Sequence, residues 1–321
     1  MDVFFYETFE EEVQGLKRGL QSHVKAGFTR ETIQEHGDHE PPASVISIRT
    51  QSVLPTSWAS KITGILTRST GYDHIEAYLK KCQEKVSCGY LPLYCSRSVA
   101  EQALLVWMSL MRKLPQQIHN FERFNRDGLT GQECEHKTLL VVGVGNIGYE
   151  VVRIGRGLGM EVLGVDIVKK HASVTYVSIK EGLPRADVIV CAMNLTSVNR
   201  GYFSYRILKR AKAGTIFINI ARGELSPSVD LLRLLDENHL GGISLDVYQN
   251  ESELAIALRK DRSSEDEEVR ATIALAGHPN VILTPHNAFN TREAVERKVS
   301  QSVQQIEHFL EYSHFLWPVP V

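Results

Sequence analysis

An α/β fold built on parallel sheets is the architecture that this 321-residue sequence predicts. Three observations predict it. Short apolar runs rich in Val, Ile and Leu alternate along the chain with segments of helical periodicity, the pattern of repeated βαβ units. One such run, Leu139-Leu140-Val141-Val142, leads directly into Gly143-Val144-Gly145-Asn146-Ile147-Gly148, after which Val151, Ile154 and Leu158 recur at helical spacing. A second strand, Val162 to Val165, then ends on an acid, Asp166. Each part of that unit has a physical task in holding a dinucleotide. Gly143 permits a tight strand-to-helix turn, Gly145 lets backbone approach a pyrophosphate, and Gly148 lets helix and strand pack closely. The helix N-terminus, with Asn146 and Ile147, presents unpaired N–H groups to the phosphates. Asp166 accepts hydrogen bonds from the adenosine ribose hydroxyls and repels a 2′-phosphate, which favours NAD over NADP, with Lys169, Lys170 and His171 close by to soften the preference.

The elements follow in order. Residues 2 to 6 read as a strand, and Thr8 as the cap of a helix with Phe9, Val13, Leu16 and Leu20 on its apolar face. A polar stretch from His36 to Pro42 precedes the strand Val45 to Ile48. Further strands are expected at Gly64 to Thr67 and Val86 to Gly89, with a helix around Ile75 to Lys81 between them. A longer apolar helix, Val99 to Leu114, connects to the next unit, and His119 to His136, polar and containing Gly128 and Gly131, reads as surface loop. Beyond the glycine loop, strands are expected at Val188 to Met193, Thr215 to Ile220, Gly242 to Val247 and Val281 to Thr284. The segment Pro227 to Glu237 is helical, and a closing helix runs from about Thr291 to Tyr312 on an apolar stripe that only partly matches a helix. The mixed-charge run Arg259 to Glu268 reads as a solvated loop, with a mobile lid as the alternative.

Composition limits the function classes. With 43% hydrophobic and 23% charged residues the chain is ordinary for a globular protein, and it is long enough for two domains. A net charge of −2 gives no pull toward nucleic acid. No apolar run is long enough to span a bilayer, and the acidic start (Glu7, Glu10, Glu11, Glu12) lacks the basic-then-apolar order of a secretory signal, so a cytoplasmic location is expected. The five cysteines form no C-x-x-C pair, which fits free thiols better than a disulfide framework or a zinc site, and no metal is expected.

Three further segments end strands with chemistry-bearing residues: Ile220-Ala221-Arg222-Gly223, Leu245-Asp246-Val247-Tyr248-Gln249-Asn250-Glu251, and Thr284-Pro285-His286. Taken alone, Arg222 is a surface residue capping a strand, the acids are loop-solvating groups, and His286 is one of 12 histidines. Open α/β sheets, however, bind their ligands at the carboxyl ends of strands, where all three segments fall.

In this order, the four segments resemble the D-isomer-specific 2-hydroxyacid dehydrogenases, which carry G-x-G-x-x-G, A-R-G, L-D-V-x-x-x-E and T-P-H-x-A. Thr67 to Ile75 looks like that family's substrate-binding turn, including Thr70 and Gly71. The resemblance implies two doubly wound Rossmann-like domains with the active site in the cleft between them. A substrate domain would comprise 1–98 and 292–321, and an NAD-binding domain 99–291. By the same resemblance Arg222 binds the carboxylate of a 2-oxo or 2-hydroxy acid and polarises its C2 oxygen. His286 is then the acid–base group and Glu251 its orienting partner. Met193, Asn194, Asn199, Ile220, Ala221 and Asp246 line the NAD side. A homodimer formed through the NAD domain is also implied. Departures are Ser252 where relatives have Pro, Asn194-Leu195-Thr196 for Pro-Leu-Thr, and a longer span from Glu251 to His286.

The substrate is less defined. Leu91 to Glu101 resembles a segment of D-lactate dehydrogenases that would bring Tyr94 near the substrate, but Asn290 stands where those enzymes have an aromatic residue. Arg49, after the strand Val45 to Ile48, falls at the position facing the C2 substituent; its other reading is an exposed surface Arg. A phosphite-type dehydrogenase would carry Lys where Thr70 stands. An NAD(H)-sensing corepressor on the same fold could keep the whole triad, and only turnover separates that role from an enzyme.

Overall fold

The computed structural model describes residues 1–82, 85–260 and 263–320. Two compact units emerge, one made of Met1–Cys95 with the segment from Asn290 onward, the other of Ser96–Phe289.

The first unit contains β1 (Val3–Phe5), α1 (Glu10–Gly19), β2 (Ala26–Phe28), α2 (Ile33–His36), β3 (Val45–Ile48), β4 (Gly64–Thr67), α3 (Asp73–Leu79) and β5 (Ser87–Gly89). Its five strands lie in the order β2-β1-β3-β4-β5, every pair parallel. Both faces are covered, so β3 and β4 are buried along their whole length and read as continuous apolar runs rather than alternating ones. Trp58, Tyr6, Ile46, Ile48 and Ile65 make up much of the core on one face.

The second unit begins with α4 (Ser96–Met111) and α5 (Leu114–Phe121). Then follow β6 (Thr138–Val142), α6 (Asn146–Gly157), β7 (Glu161–Val165), β8 (Thr175–Tyr176), α7 (Ile179–Gly182), β9 (Val188–Cys191), α8 (Tyr205–Leu208) and β10 (Thr215–Asn219). It ends with α9 (Ser228–Asp236), β11 (Leu240–Leu245), α10 (Glu251–Lys260), α11 (Glu267–Ala276) and β12 (Val281–Leu283). The seven strands are again all parallel, in the order β12-β11-β10-β9-β6-β7-β8. The order reverses at β6, so the carboxyl ends of β6 and β9 flank a topological switch point, where such sheets receive ligands.

Several expectations need correction. Thr8 does not cap α1: its hydroxyl donates to the Thr29 carbonyl at 2.7 Å, and Phe9 takes the cap position with its N–H donated to Glu12 at 3.2 Å. The first residues of the expected loop His119 to His136 are helical, because Lys113 turns left-handed after α4 and lets α5 start at Leu114. The charged run is not a loop at its ends. Arg259 and Lys260 close α10, Asp266 caps α11 by accepting from the Val269 N–H, and Glu267 and Glu268 form the first turn of α11. Asp261 and Arg262 lie outside the described residues. The two-residue β8 and the half-buried edge strand β2 carried no readable signal.

The last helix, α12 (Arg292–Tyr312), returns to the first unit. Its buried face is partly polar, with Lys298, Ser302 and Gln305 beside Ala294, Val303, Ile306 and Phe309. Lys298 reaches Glu12 on α1, and both side chains are 1% exposed. Arg68, equally buried, lies 3.7 Å from the same carboxylate. Burial pushes Glu12 upward, but Lys298 and Arg68 outweigh it and hold its carboxyl at about 2, while burial pushes Lys298 down to about 7. Replacing Lys298→Met alone leaves the buried Glu12 carboxylate with Arg68 as its remaining cation and should cost about 3 kcal/mol in denaturant unfolding; the paired change with Glu12→Gln should recover most of that. In the wild type Glu12 contributes fully above the ordinary 4.5 of a glutamate and loses that contribution as pH falls toward 2. The paired variant should therefore show a flatter decline of stability over that window.

Candidate functional site

The glycine loop sits between β6 and α6. Gly143 has φ +91°, and a Cβ there would overlap the backbone of Met193, so only glycine fits the turn. A Cβ at Gly148 would overlap the Gly143 carbonyl, whereas one at Gly145 would meet nothing within 4 Å. The loop is therefore closed on its protein side and open at Gly145, the residue that caps α6. The first-turn N–H groups of Asn146, Ile147 and Gly148 have no carbonyl a turn earlier to bond, so they suit a pyrophosphate. Asp166 follows β7, and its carboxylate accepts from the N–H groups of Val144 (2.6 Å) and Val168 (2.9 Å). It thereby ties the glycine loop to the neighbouring strand end. These residues fit an NAD molecule.

Beyond β9 the chain passes through half-buried Met193 and exposed Asn194 into a loop folded by Asn199. The Asn199 side chain accepts from the Thr196 N–H at 2.7 Å and donates to the Asn194 carbonyl at 2.8 Å. Beyond β10, Asn219, fully buried, performs a similar task. Its amide accepts from the Ala221 N–H (3.0 Å) and donates to the Arg222 carbonyl (2.8 Å) and the Ser226 hydroxyl (2.7 Å). Arg222 is half-buried with extended backbone, and its guanidinium donates to the Ala221 carbonyl at 2.9 Å. A Cβ on Gly223 would overlap the backbone of Tyr248 and Gln249, so glycine is what lets the Arg222 turn lie against the segment after β11.

That segment and the one after β12 meet through Asp246. Its carboxylate, 3% exposed, accepts from the Thr284 hydroxyl (2.6 Å) and from the N–H groups of Asn287 and Ala288 (both 2.9 Å). Burial raises its pKa against the pull of these hydrogen bonds. The Tyr248 hydroxyl lies 2.7 and 3.0 Å from the carbonyls of Thr284 and Leu245, and burial raises its pKa as well. Between these anchors His286 takes a left-handed conformation (φ 51°), as does Asn250 (φ 55°) immediately before Glu251. A non-glycine residue there is strained by about 1–3 kcal/mol unless its surroundings impose it. The two turns bring His286 Nδ1 within 2.8 Å of the Glu251 carboxylate, each side chain about a quarter exposed. Asn250 in turn donates to Asp266 at 2.6 Å.

The structure thus brings together Glu251 and His286, and sets Arg222 on a turn packed against the same stretch. Arg49, Thr70, Gly71 and Tyr94 belong to the first unit. Thr70 donates to the Leu91 carbonyl at 3.0 Å, Gly71 accepts from the Ser69 hydroxyl at 2.6 Å, and Tyr94 is buried. Residues that the sequence did not single out are Asn219, Tyr248 and Thr284, which shape the turns. Ile167 and Val198 also escaped notice, apolar yet almost wholly exposed beside Asp166 and Asn199. A readable signal existed for Asn219, an amide closing an apolar strand, and for Ile167, an apolar residue past a strand end. Among the described residues no group of three or more His, Cys, Asp or Glu could hold a metal, and no helix is long and apolar enough to cross a membrane.

A glycine loop fitted to a dinucleotide, with an Arg turn and a His–Glu pair on neighbouring strand ends, defines an NAD-dependent oxidoreductase. Residues 104–288 match the model of the D-isomer specific 2-hydroxyacid dehydrogenase NAD binding domain. The chain is 29% identical over 292 residues to the D-lactate dehydrogenase of Streptococcus agalactiae, covering 88% of this chain and 87% of that one. It is 31% identical over 252 residues to the aromatic 2-oxoacid reductase of Clostridium sporogenes (76% and 75%). The structure of Aquifex aeolicus D-lactate dehydrogenase, complexed with NAD and lactic acid, superposes with a TM-score of 0.86 at 26% identity, over 98% of this chain and 99% of that one. The chain belongs to the D-isomer-specific 2-hydroxyacid dehydrogenase family.

Asp246→Asn tests the anchoring of the His286 turn. An amide would place donors against the N–H donors of Asn287 and Ala288, so the protein without NAD should lose about 1–3 kcal/mol in denaturant unfolding. Unchanged stability would show that the carboxylate does not hold the turn.

Proposed function

We propose that this enzyme reversibly reduces a 2-oxo acid to the D-2-hydroxy acid, with Arg222, His286 and Glu251 as its working side chains. The observation that carries the reading is the 2.8 Å contact between His286 Nδ1 and Glu251. A carboxylate at Nδ1 holds that nitrogen as a donor, which leaves Nε2 to exchange a proton with a substrate oxygen. In the reducing direction His286 gives that proton to the C2 oxygen; in the oxidising direction it takes one. Arg222 binds the substrate carboxylate with its planar fork and lowers the cost of charge on the C2 oxygen. NAD, when bound, supplies or accepts the hydride. Ile167 and Val198 offer apolar faces for the adenine, and Asp166 meets the ribose. In this reading the unit built from both chain ends binds substrate and the middle unit binds NAD.

A second copy of the chain is the expected partner. Among the described residues of α5 none is buried, and Ile118 and Phe121, with Phe124 just beyond, are 66%, 75% and 70% exposed. An apolar face of this kind is unusual on a monomer. It lies in the middle unit, through which relatives are expected to pair.

Two sets of measurements check these assignments. In NADH oxidation with 2-oxo acids, His286→Ala should lower kcat by about 10²- to 10⁴-fold while NADH binding, followed by fluorescence, stays near wild type. Glu251→Gln should lower kcat more than it changes KM, because an acceptor remains but the protonated ring loses its anionic partner; Arg222→Lys should act mainly on KM. A His286→Ala variant with full turnover removes the proposal. Light scattering should give a dimer for the wild type at micromolar concentration and a monomer for Phe121→Glu; a wild-type monomer would discard the pairing.

A further inference from the structure

Glu251 is the first residue of α10, and its turn is held in a way that departs from the usual start of a helix. The Asn250 carbonyl accepts from the Leu254 N–H at 3.0 Å, which puts Asn250 at the cap of α10. A cap asparagine ordinarily lies in extended backbone and turns its side-chain oxygen onto the second or third N–H of its own helix. Here the backbone is left-handed, with φ 55°, and the amide nitrogen donates to the Asp266 carboxylate at 2.6 Å. Two residues after Glu251 a second group also turns outward. A glutamate at the third position of a helix commonly reaches back to the cap N–H. Glu253 instead accepts from the Ser264 hydroxyl.

Both outward bonds end on one short segment, and that segment is itself anchored. The Asp266 N–H donates to the Ser264 hydroxyl at 3.0 Å, which joins the two acceptor residues. The other oxygen of Asp266 accepts from the Val269 N–H at 3.0 Å and caps α11. Arg270, within the first turns of α11, donates to the carbonyls of Ser264 and Glu265 at 3.2 and 2.6 Å. Val269 and Leu275 seat α11 in the interior with no exposed surface, and Val269 packs with Leu254 and Ala257 of α10. Glu251 is thus bracketed, since the residue before it and the residue two places after it are tied to the same anchored point. Asn250 is exposed, so water competes for its amide and the bond adds little to the stability of the fold. What the bond restricts is the direction of the turn. The 2.8 Å contact of Glu251 with His286 depends on that direction, and a misplacement of about 1 Å in such a constellation costs on the order of 10²-fold in rate.

We infer that Asn250 and Asp266 are positioning residues for the proton transfer: the bond between them fixes the turn that presents Glu251 to His286, and Ser264 braces the other side of that turn through Glu253. The inference rests on the proposed roles of Glu251 and His286. It gives part of the mixed-charge run a task beyond solvation.

The test exchanges the two partners in the purified full chain. Asn250→Asp alone sets two carboxylates against each other. Asp266→Asn alone leaves one side-chain oxygen for two donors; the Val269 N–H, fixed in the adjoining backbone, retains it, so α11 keeps its cap and the tie to Asn250 is lost. Asn250→Asp together with Asp266→Asn restores one donor and one acceptor across the contact with the direction reversed. In NADH oxidation with pyruvate or phenylpyruvate, each single variant should lower kcat about fivefold or more while the KM for the oxo acid stays near wild type, and the exchanged pair should return kcat to within about twofold of wild type. Asn250→Gly, which tolerates the left-handed turn without a side chain, should lower kcat likewise with little change in the denaturant midpoint, and it reads the same contact if a charged variant fails to fold. A merely structural tie would lower the midpoint and leave kcat of the folded protein unchanged. Single variants with wild-type kcat, or an exchanged pair no better than its parts, overturn the inference; the role of Glu251 then stands if Glu251→Gln still lowers kcat. Wild-type kcat in Glu251→Gln, or failure of the wild type to turn over any 2-oxo acid while it binds NADH, overturns both.

Discussion

The second unit depends on a carboxylate taken out of water at Asp246. Three donors from the chain beyond β12 converge on it, from Thr284, Asn287 and Ala288, and they fix a turn that backbone sterics disfavour. Parallel strands deliver their ends to one edge but leave the turns beyond those ends without a fixed direction. The hydrogen-bonded acid supplies that orientation, and Tyr248 reinforces it by bonding carbonyls on both segments. His286 therefore meets Glu251 through constraints located entirely on its neighbours. His286 and Glu251 stay about a quarter exposed while the acid that holds their turn is buried.

Much of this was legible in the sequence for a physical reason. Strands buried on both faces, such as β6 and β9, are unbroken apolar runs, and the glycines at 143 and 148 are forced by close backbone contacts that no other residue permits. Arg222, Glu251 and His286 could be picked out as candidates because the segments that carry them follow strand ends in the order of the family's motifs. The roles of Thr8 and of the charged run could not. Thr8 has a choice of partners, and its hydroxyl turns to the Thr29 carbonyl, a residue distant in sequence. Asp266 reads as one more charge in an acidic run until the N–H of Val269 is seen beside it.

The weak stripe of α12 has a similar explanation. A helix is recognised by its apolar face, but part of this buried face is Lys298, Ser302 and Gln305. Lys298 is compensated by Glu12 on α1, and the Gln305 amide donates to the carbonyls of Tyr90 and Trp317 at 2.8 and 3.2 Å. Tertiary partners allow polar residues where periodicity expects apolar ones.

The bond from Asn250 to Asp266 joins the residue before Glu251 to the cap of α11. On its far side α11 is held through Glu268, which accepts from the Ser228 N–H at 2.6 Å, and through Thr272, whose hydroxyl donates to Ser228 at 2.8 Å. The longer span between the acid and the histidine is thus secured at both shoulders of the second unit. In recombination between family members, residues 250 to 272 would have to travel as one block together with Ser228. A crossover inside the block would separate a helix cap from the turn that presents the acid, even where the aligned residues on either side are identical.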